Sequence, residues 1–352
     1  MPQKKRIVIY SRDIGGTNQL VEVRRFLLAR RQSPPPGAVV GSDILEAFAA
    51  RIDAEQDAEI AVVAKDQAVG HWRALGVAAV VWDDIASANG TLGESAGSVI
   101  VGLSPTAVVT ATTDVDDRTD VHLWQAARER GLHCAAFVDH RINLEARFLG
   151  IDGRISYPDE VFVIDEEVRA DIIAAGVPGS RIRVAGDLHL ARLAEEALLG
   201  LSPAVEALRA DWGVGRTDQA VLFVSECLRE MRAYGSPGAP YDEVETLASL
   251  VERAAKGEDP GGLGIDWSQA TLVVRAHPKD AAGKFDVFRR DAGPRVIVSN
   301  AGLATEAICA ADGVLGMDST MLYEAQALGR PVASLVPFSN FARRHQPKAR
   351  IA

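Results

Sequence analysis

The sequence has little cysteine, few aromatic residues, a deficit of positive charge and no long apolar run. Its three cysteines, Cys134, Cys227 and Cys309, are far apart and odd in number, each in or beside an apolar stretch. They fit no zinc or redox spacing. Reduced, buried thiols in a cytoplasmic protein are the expectation. No stretch approaches the roughly 20 apolar residues of a membrane span. The opening segment MPQKKRIVIYSRD has a basic start, but its apolar run covers only residues 7–10. That is too short for a signal peptide and reads as a first strand. A net charge of −10 argues against nonspecific nucleic-acid binding, which needs a basic face. It leaves room for a local basic patch facing a phosphorylated ligand. Two phosphate-loop signatures are missing as well: the three-glycine dinucleotide spacing and the Gly-Lys-Ser/Thr of a Walker loop.

What is present is an alternation of short apolar runs and helical stretches. Apolar residues make up 47% and charged residues 24%, the balance of a soluble globular chain, and 352 residues suffice for two domains. Runs at residues 7–10, 59–64, 77–82, 107–110, 134–138, 160–164 and 181–185 read as strands. Helices are expected at 19–31, 44–52, 68–75, 122–130 and 166–175, and a long helical region at 190–212 leads out of this half. The second half repeats the pattern, with strands at 220–224, 271–275, 296–299, 313–317 and 332–336. Helices at 241–255 and 303–311 lie among them, and a Gly/Pro-rich loop at 234–240 suits a cover over a cleft. The fold class expected is α/β: two Rossmann-like domains with parallel sheets, at residues 1–190 and 217–352, joined by a helical linker at 191–216.

Residues 313–337, GVLGMDSTMLYEAQALGRPVASLVP, organise the second half. An apolar strand meets Asp318-Ser319-Thr320, whose small polar side chains suit an N-cap. Met321, Leu322, Ala325 and Leu328 form one apolar stripe, and Gly329 and Pro331 stop the helix. Amides at a helix start attract anions, Ser319 and Thr320 add hydroxyls, and Glu324 lies one turn down the same face. Such a turn either holds a phosphate, with a sugar hydroxyl on Glu324, or is an ordinary capped helix. Two more strands end in polar groups: Ser225-Glu226, and Arg275 followed by His277-Pro278-Lys279. Neighbouring strands would bring all three ends to one edge, where a diphosphate needs cations, amides and hydroxyls. Arg275, His277 and Lys279 supply that charge without a metal.

Three features stand out in the first half. Gly15-Gly16 lies in a loop between the first strand and first helix, where it either admits a ligand to the backbone or makes a tight turn. Thr112, Thr113, Asp114, Asp116 and Asp117 read as a solvated loop and helix cap rather than a metal site. Asp139-His140-Arg141-Ile142-Asn143 follows a strand, the position where open α/β sheets place ligands. His140 there suits a general base near neutral pH, or a hydrogen-bonded loop histidine. The arginines from Arg24 to Arg31 read as the solvated face of the first helix.

The stretch Arg275-Ala276-His277-Pro278, followed by residues 316–332, resembles the C-terminal domain of GT-B-fold proteins, in which a strand ends in His-Pro and a later Ser/Thr-rich turn precedes Glu-Ala-x-x-x-Gly-x-Pro-Val. Similar proteins include glycosyltransferases, hydrolysing UDP-N-acetylglucosamine 2-epimerases and glycerophosphotransferases. Val184-Ala185-Gly186-Asp187 resembles the stretch that leads from the first epimerase domain to the second, and Gly15-Gly16 looks like the glycine loop facing the donor. The resemblance implies a cleft between an acceptor-side first domain and a nucleotide-binding second domain. It places Ser319 and Thr320 at the diphosphate, Glu324 at the ribose or donor sugar, and His277 near the phosphates; Asp318, Ser225 and Glu226 join the nucleotide site as polar strand ends of the same edge. The catalytic candidates are His140 and Asp139. The expected activity is a metal-independent nucleotide-sugar glycosyltransferase, with a 2-epimerase or hydrolase, or a non-catalytic binding module, as alternatives. No cofactor is expected, the nucleoside-diphosphate sugar being a substrate. The acceptor is unnamed, and a homodimer is compatible. GT-B proteins commonly finish with a long helix, of which residues 338–351 would be a short version.

Overall fold

The computed structural model describes residues 5–30, 42–52, 58–86, 90–113, 117–141, 143–150, 152–197, 203–233, 241–289, 294–339 and 341–342. The chain divides into two compact units, Met1–Arg192 and Leu193–Ala352. The first unit runs β1 (Arg6–Ser11), α1 (Ile14–Ala29), α2 (Ser42–Arg51), β2 (Glu59–Ala64), α3 (Gln67–Ala74), β3 (Val80–Val81), α4 (Trp82–Ile85) and α5 (Leu92–Leu103). It continues with β4 (Ala107–Ala111), α6 (Thr119–Glu129), β5 (His133–Val138), α7 (Leu144–Arg147), β6 (Glu160–Val163), α8 (Glu166–Ala174) and β7 (Ile182–Val184). After α9 (Leu188–Ala197), the second unit holds α10 (Pro203–Asp211), β8 (Ala220–Val224), α11 (Leu228–Ala233), α12 (Glu243–Ala255), β9 (Thr271–Arg275), β10 (Arg295–Val298), α13 (Ala304–Ala310), β11 (Gly313–Gly316), α14 (Thr320–Ala327) and β12 (Val332–Ser334).

Each unit is a parallel sheet wrapped by helices, as the alternation implies. The first sheet is ordered β3-β2-β1-β4-β5-β6-β7 and the second β10-β9-β8-β11-β12. The order reverses between β1 and β4 in one and between β8 and β11 in the other. At such a switch point the connections leave to opposite sides, so a crevice opens beyond the strands' carboxyl ends. Both faces of the first sheet are covered. Val8 and Tyr10 of β1 enter one apolar cluster while Ile7 and Ile9 enter the other, the period-two signature of a strand. This double burial is why the strands read as unbroken apolar runs rather than alternating ones.

Strands β2, β8 and β9 occupy the residues expected of them. The first helix does not: α1 begins at Ile14, so Gly15 and Gly16 lie in its first turn and not in a loop. The strand expected at 77–82 shrinks to the edge pair Val80–Val81, because Trp82 turns inward onto Tyr10 with ring centroids 5.5 Å apart. The long helical region is two helices, α9 and α10. The loop at 234–240 and most of residues 338–351 lie outside the described residues.

Candidate functional site

The switch point of the first unit is built on glycine. A Cβ on Gly16 would lie 2.4 Å from Ala111 Cβ, and one on Gly15 would lie 2.3 Å from Asp139 Oδ2. Only glycine lets the start of α1 pack this closely on the end of β4 and on Asp139. Asp13, at the N-cap of α1, makes no side-chain cap. Among the described residues, neither the Gly15 nor the Gly16 amide forms a hydrogen bond.

Asp139 follows β5, and its side chain is only 7% exposed. Its Oδ1 has no hydrogen-bond partner among the described residues, and Arg147 Nη1 stands 4.0 Å away. The buried Arg147 itself donates to Thr112 O and Oγ1 and to Thr113 O at 3.1–3.3 Å. A nearly buried carboxylate with an open oxygen is costly unless a ligand or water meets it. His140 follows it, half-buried, and Arg141 donates to Asp165 at 2.9 Å. Lys65 and Arg12, at the ends of β2 and β1, meet Asp117 at 2.6 and 3.5 Å. Burial would raise the Asp117 pKa, but hydrogen bonds from Lys65 and Thr119 outweigh it and hold the carboxyl below its usual value. Asp120 is pushed up to about 6 by burial, against hydrogen bonds from Thr113 and Val121. Gln19 ties α1 to the β7–α9 turn: it donates to Asp187 at 2.7 Å and accepts from the Leu188 amide at 3.1 Å.

The second unit's switch point is bridged by protein. Glu226, just beyond β8, accepts the Asp318 amide at 2.6 Å and also the Ser319 amide. Ser319 Oγ accepts the Met321 amide at 3.3 Å, and Asp318 Oδ1 accepts the Phe341 amide at 2.9 Å. Burial pushes the Glu226 carboxyl up to about 7, and the nearby Asp318 and Glu243 act in the same direction. Two amides at the start of α14 are therefore already met by Glu226. Thr320 is the exposed residue of this turn. Gly316 lets β11 approach β8, since a Cβ there would lie 2.6 Å from Val224 Cγ2.

The cationic residues lie at the end of β9. Arg275 donates to Ala301 O and Gly302 O at 3.0 and 2.9 Å, and it feels the charge of Glu324, buried on α14. His277 Nδ1 accepts the Lys279 amide at 3.1 Å, leaving Nε2 to carry the proton of the neutral ring. Burial holds the His277 pKa below its usual value, so that neutral form prevails near pH 7. Lys279 is exposed and makes no ion pair among the described residues. Ser225 is buried and turns inward, donating to Asp280 Oδ2 at 2.7 Å.

Sequence reasoning missed what fixes this edge. Lys284 Nζ, its side chain 6% exposed, donates to Glu230 at 2.6 Å, to Asp280 at 2.8 Å and to Glu243. The other oxygen of Asp280 accepts both Ser225 Oγ and the His277 amide, each at 2.7 Å. Glu243 also accepts the Leu228 amide at 3.0 Å. Burial alone would lower the Lys284 pKa, but the three carboxylates outweigh it and raise it. These carboxylates have metal-like spacing, yet the lysine supplies their cation. The Asp280-x-x-x-Lys284 spacing was the one visible hint.

No family model matches the sequence, and a comparison with curated proteins finds no match. Solved structures are similar in fold. UDP-GlcNAc 2-epimerase from Methanocaldococcus jannaschii matches with a TM-score of 0.58 and 14% identity, over 96% of this chain and 86% of that one. The Neisseria meningitidis UDP-GlcNAc 2-epimerase bound to UDP-GlcNAc gives 0.57 and 13%, over 93% and 81%. Anabaena Alr3699/HepE in complex with UDP-glucose gives 0.51 and 13%, over 94% and 80%. The fold is thus the two-Rossmann, GT-B-like arrangement that the sequence motifs resemble.

Proposed function

We propose that this protein is an enzyme that acts on a UDP-sugar and breaks the bond between sugar and nucleotide, in the manner of a 2-epimerase or hydrolase that needs no separate acceptor. The observation that carries the reading is Asp139: a nearly buried carboxylate oxygen that accepts no hydrogen bond among the described residues, at the switch point of a fold shared with UDP-GlcNAc 2-epimerases. In a UDP-sugar the departing diphosphate gathers negative charge. Arg275, Lys279 and the Nε2–H of His277 offer cations and a donor for that charge. Thr320 adds a hydroxyl, and Glu324 beside Arg275 suits a ribose or sugar hydroxyl. Asp139, with His140 beside it, is assigned the proton transfer. A carboxylate suits either removing a proton from the sugar or activating water.

The glycosyltransferase expected from the sequence would use the same residues and differs in consuming an acceptor. Incubation with UDP-GlcNAc alone, followed by proton NMR, separates the two. Release of UDP with a changed or hydrolysed sugar supports the proposal. Release only when an acceptor is added supports the transferase. Absence of thermal stabilisation by every nucleoside diphosphate in a panel overturns both and leaves a module that binds something else.

A further inference from the structure

The first unit has a second polar hollow, at the opposite edge of its sheet from Asp139. Asp139 follows β5, whereas the hollow is lined by residues that precede strands: Arg128 at the end of α6, Arg154, Ser156, Tyr157 and Asp159 before β6, and Arg181 before β7. Its volume is about 360 Å³, within the range of small-ligand sites. The chain as a whole carries a charge of −10, so three guanidinium groups around one hollow run against its composition.

Two acids, Asp152 and Asp159, also line the hollow, and each meets both backbone and one of the guanidinium groups. Asp159 Oδ2 accepts the Cys134 amide at 3.0 Å and faces the start of β5. Asp152 Oδ1 accepts the Arg154 amide at 3.1 Å within a turn. The guanidinium groups are only partly used. Arg128 gives one nitrogen to Tyr157 O at 2.5 Å, and Arg181 gives one to Asp159 O and Oδ1 at 3.2 and 3.3 Å. Arg154 is 88% exposed, and its Nε stands 3.9 Å from Asp152 Oδ2. Each guanidinium carries five N–H donors, so most remain unused among the described residues. The Ser156 and Tyr157 hydroxyls make no hydrogen bond among the described residues either. The turn that presents Arg154 is fixed, because Gly150 N donates to Arg154 O at 2.6 Å and Ser156 N to Phe148 O at 2.7 Å.

We propose that this hollow binds a small, multiply charged, phosphate-bearing anion. Planar guanidinium forks match phosphate oxygens in pairs, and three forks plus two hydroxyls exceed what a single monovalent anion requires. The site stands apart from the residues assigned to the sugar-nucleotide reaction and does not depend on that assignment.

Calorimetric titration of the full chain with inorganic pyrophosphate tests the proposal. Saturable binding is expected, weakened at least about tenfold by Arg154→Glu and by Arg128→Gln, since each removes charge-assisted donors. Arg275→Gln in the second unit should leave that binding in place. Arg154 is exposed, so its variant is expected to fold, and circular dichroism checks this. The proposal is overturned if both first-unit variants bind pyrophosphate as the wild type does. It also falls if Arg275→Gln alone abolishes binding, or if no saturable binding occurs up to about 1 mM. Displacement of the Arg154-sensitive pyrophosphate by UDP marks a nucleotide as the source. Failure of UDP to displace it marks a non-nucleotide phosphate, and either result supports the site.

Discussion

The switch points of the two units begin their helices differently. At α14, Ser319 caps its own helix and Glu226 reaches across from β8 to take two more amides. At α1 there is no side-chain cap, and Gly15 and Gly16 let Asp139 and Ala111 press against the first turn. A well-capped helix start is the one a sequence advertises, through its Ser, Thr and Asp. For the same reason it has the fewest donors left for a ligand. The start hidden behind glycines is the one whose first amides stay open.

If that contrast governs function, Asp139→Asn should lower turnover of a UDP-sugar by about 10²- to 10⁴-fold, as loss of an acid–base group does, with nucleotide affinity little changed. Glu226→Gln should leave turnover within a few-fold. Steady-state assays on the two variants decide it, and equal losses would erase the distinction between the two edges. Removing the cation from the acidic hub comes next. Lys284→Met leaves Glu230, Glu243 and Asp280 facing one another in a buried space, and urea unfolding should show a loss of about 3–5 kcal/mol. A loss below about 1 kcal/mol would mean the hub is not desolvated.

Nucleotide binding should depend on the end of β9 rather than on helix amides. His277→Ala is expected to weaken UDP by about tenfold in calorimetry, roughly 1.4 kcal/mol. Unchanged affinity would return the diphosphate to α14. The smallest effect is a slope with pH. Glu226 titrates at about 7 in the fold, above the usual glutamate range near 4.3. A raised carboxyl pKa favours the protonated fold, so its contribution is fully present below the unfolded value. It is lost as pH rises through about 7. Between pH 6 and 7 the wild type should lose about 1 kcal/mol of stability relative to Glu226→Gln. Parallel melting curves for the two proteins would remove Glu226 as the titrating group.

Much of the fold was legible because parallel strands buried on both faces are short apolar runs, and β2, β8 and β9 stand out as such. The start of α1 was not legible. Glycine is a poor helix former, and only the approach of Ala111 and Asp139 explains its use there. Arg275 and Glu324 could be read from motif spacing. Lys284 could not be linked to Glu230 and Glu243, because pairing across 41 and 54 residues leaves no periodic trace. Glu226 was visible as a polar strand end, but its partner lies 92 residues away.

The Asp318 carboxylate holds the Phe341 amide, and the Phe341 ring packs edge-on against Tyr323 of α14 at 5.0 Å. Shortening the protein to residue 339 would therefore unclip the turn before α14 from a distance. A fluorophore placed just past Phe341 would sense the state of that turn without touching it.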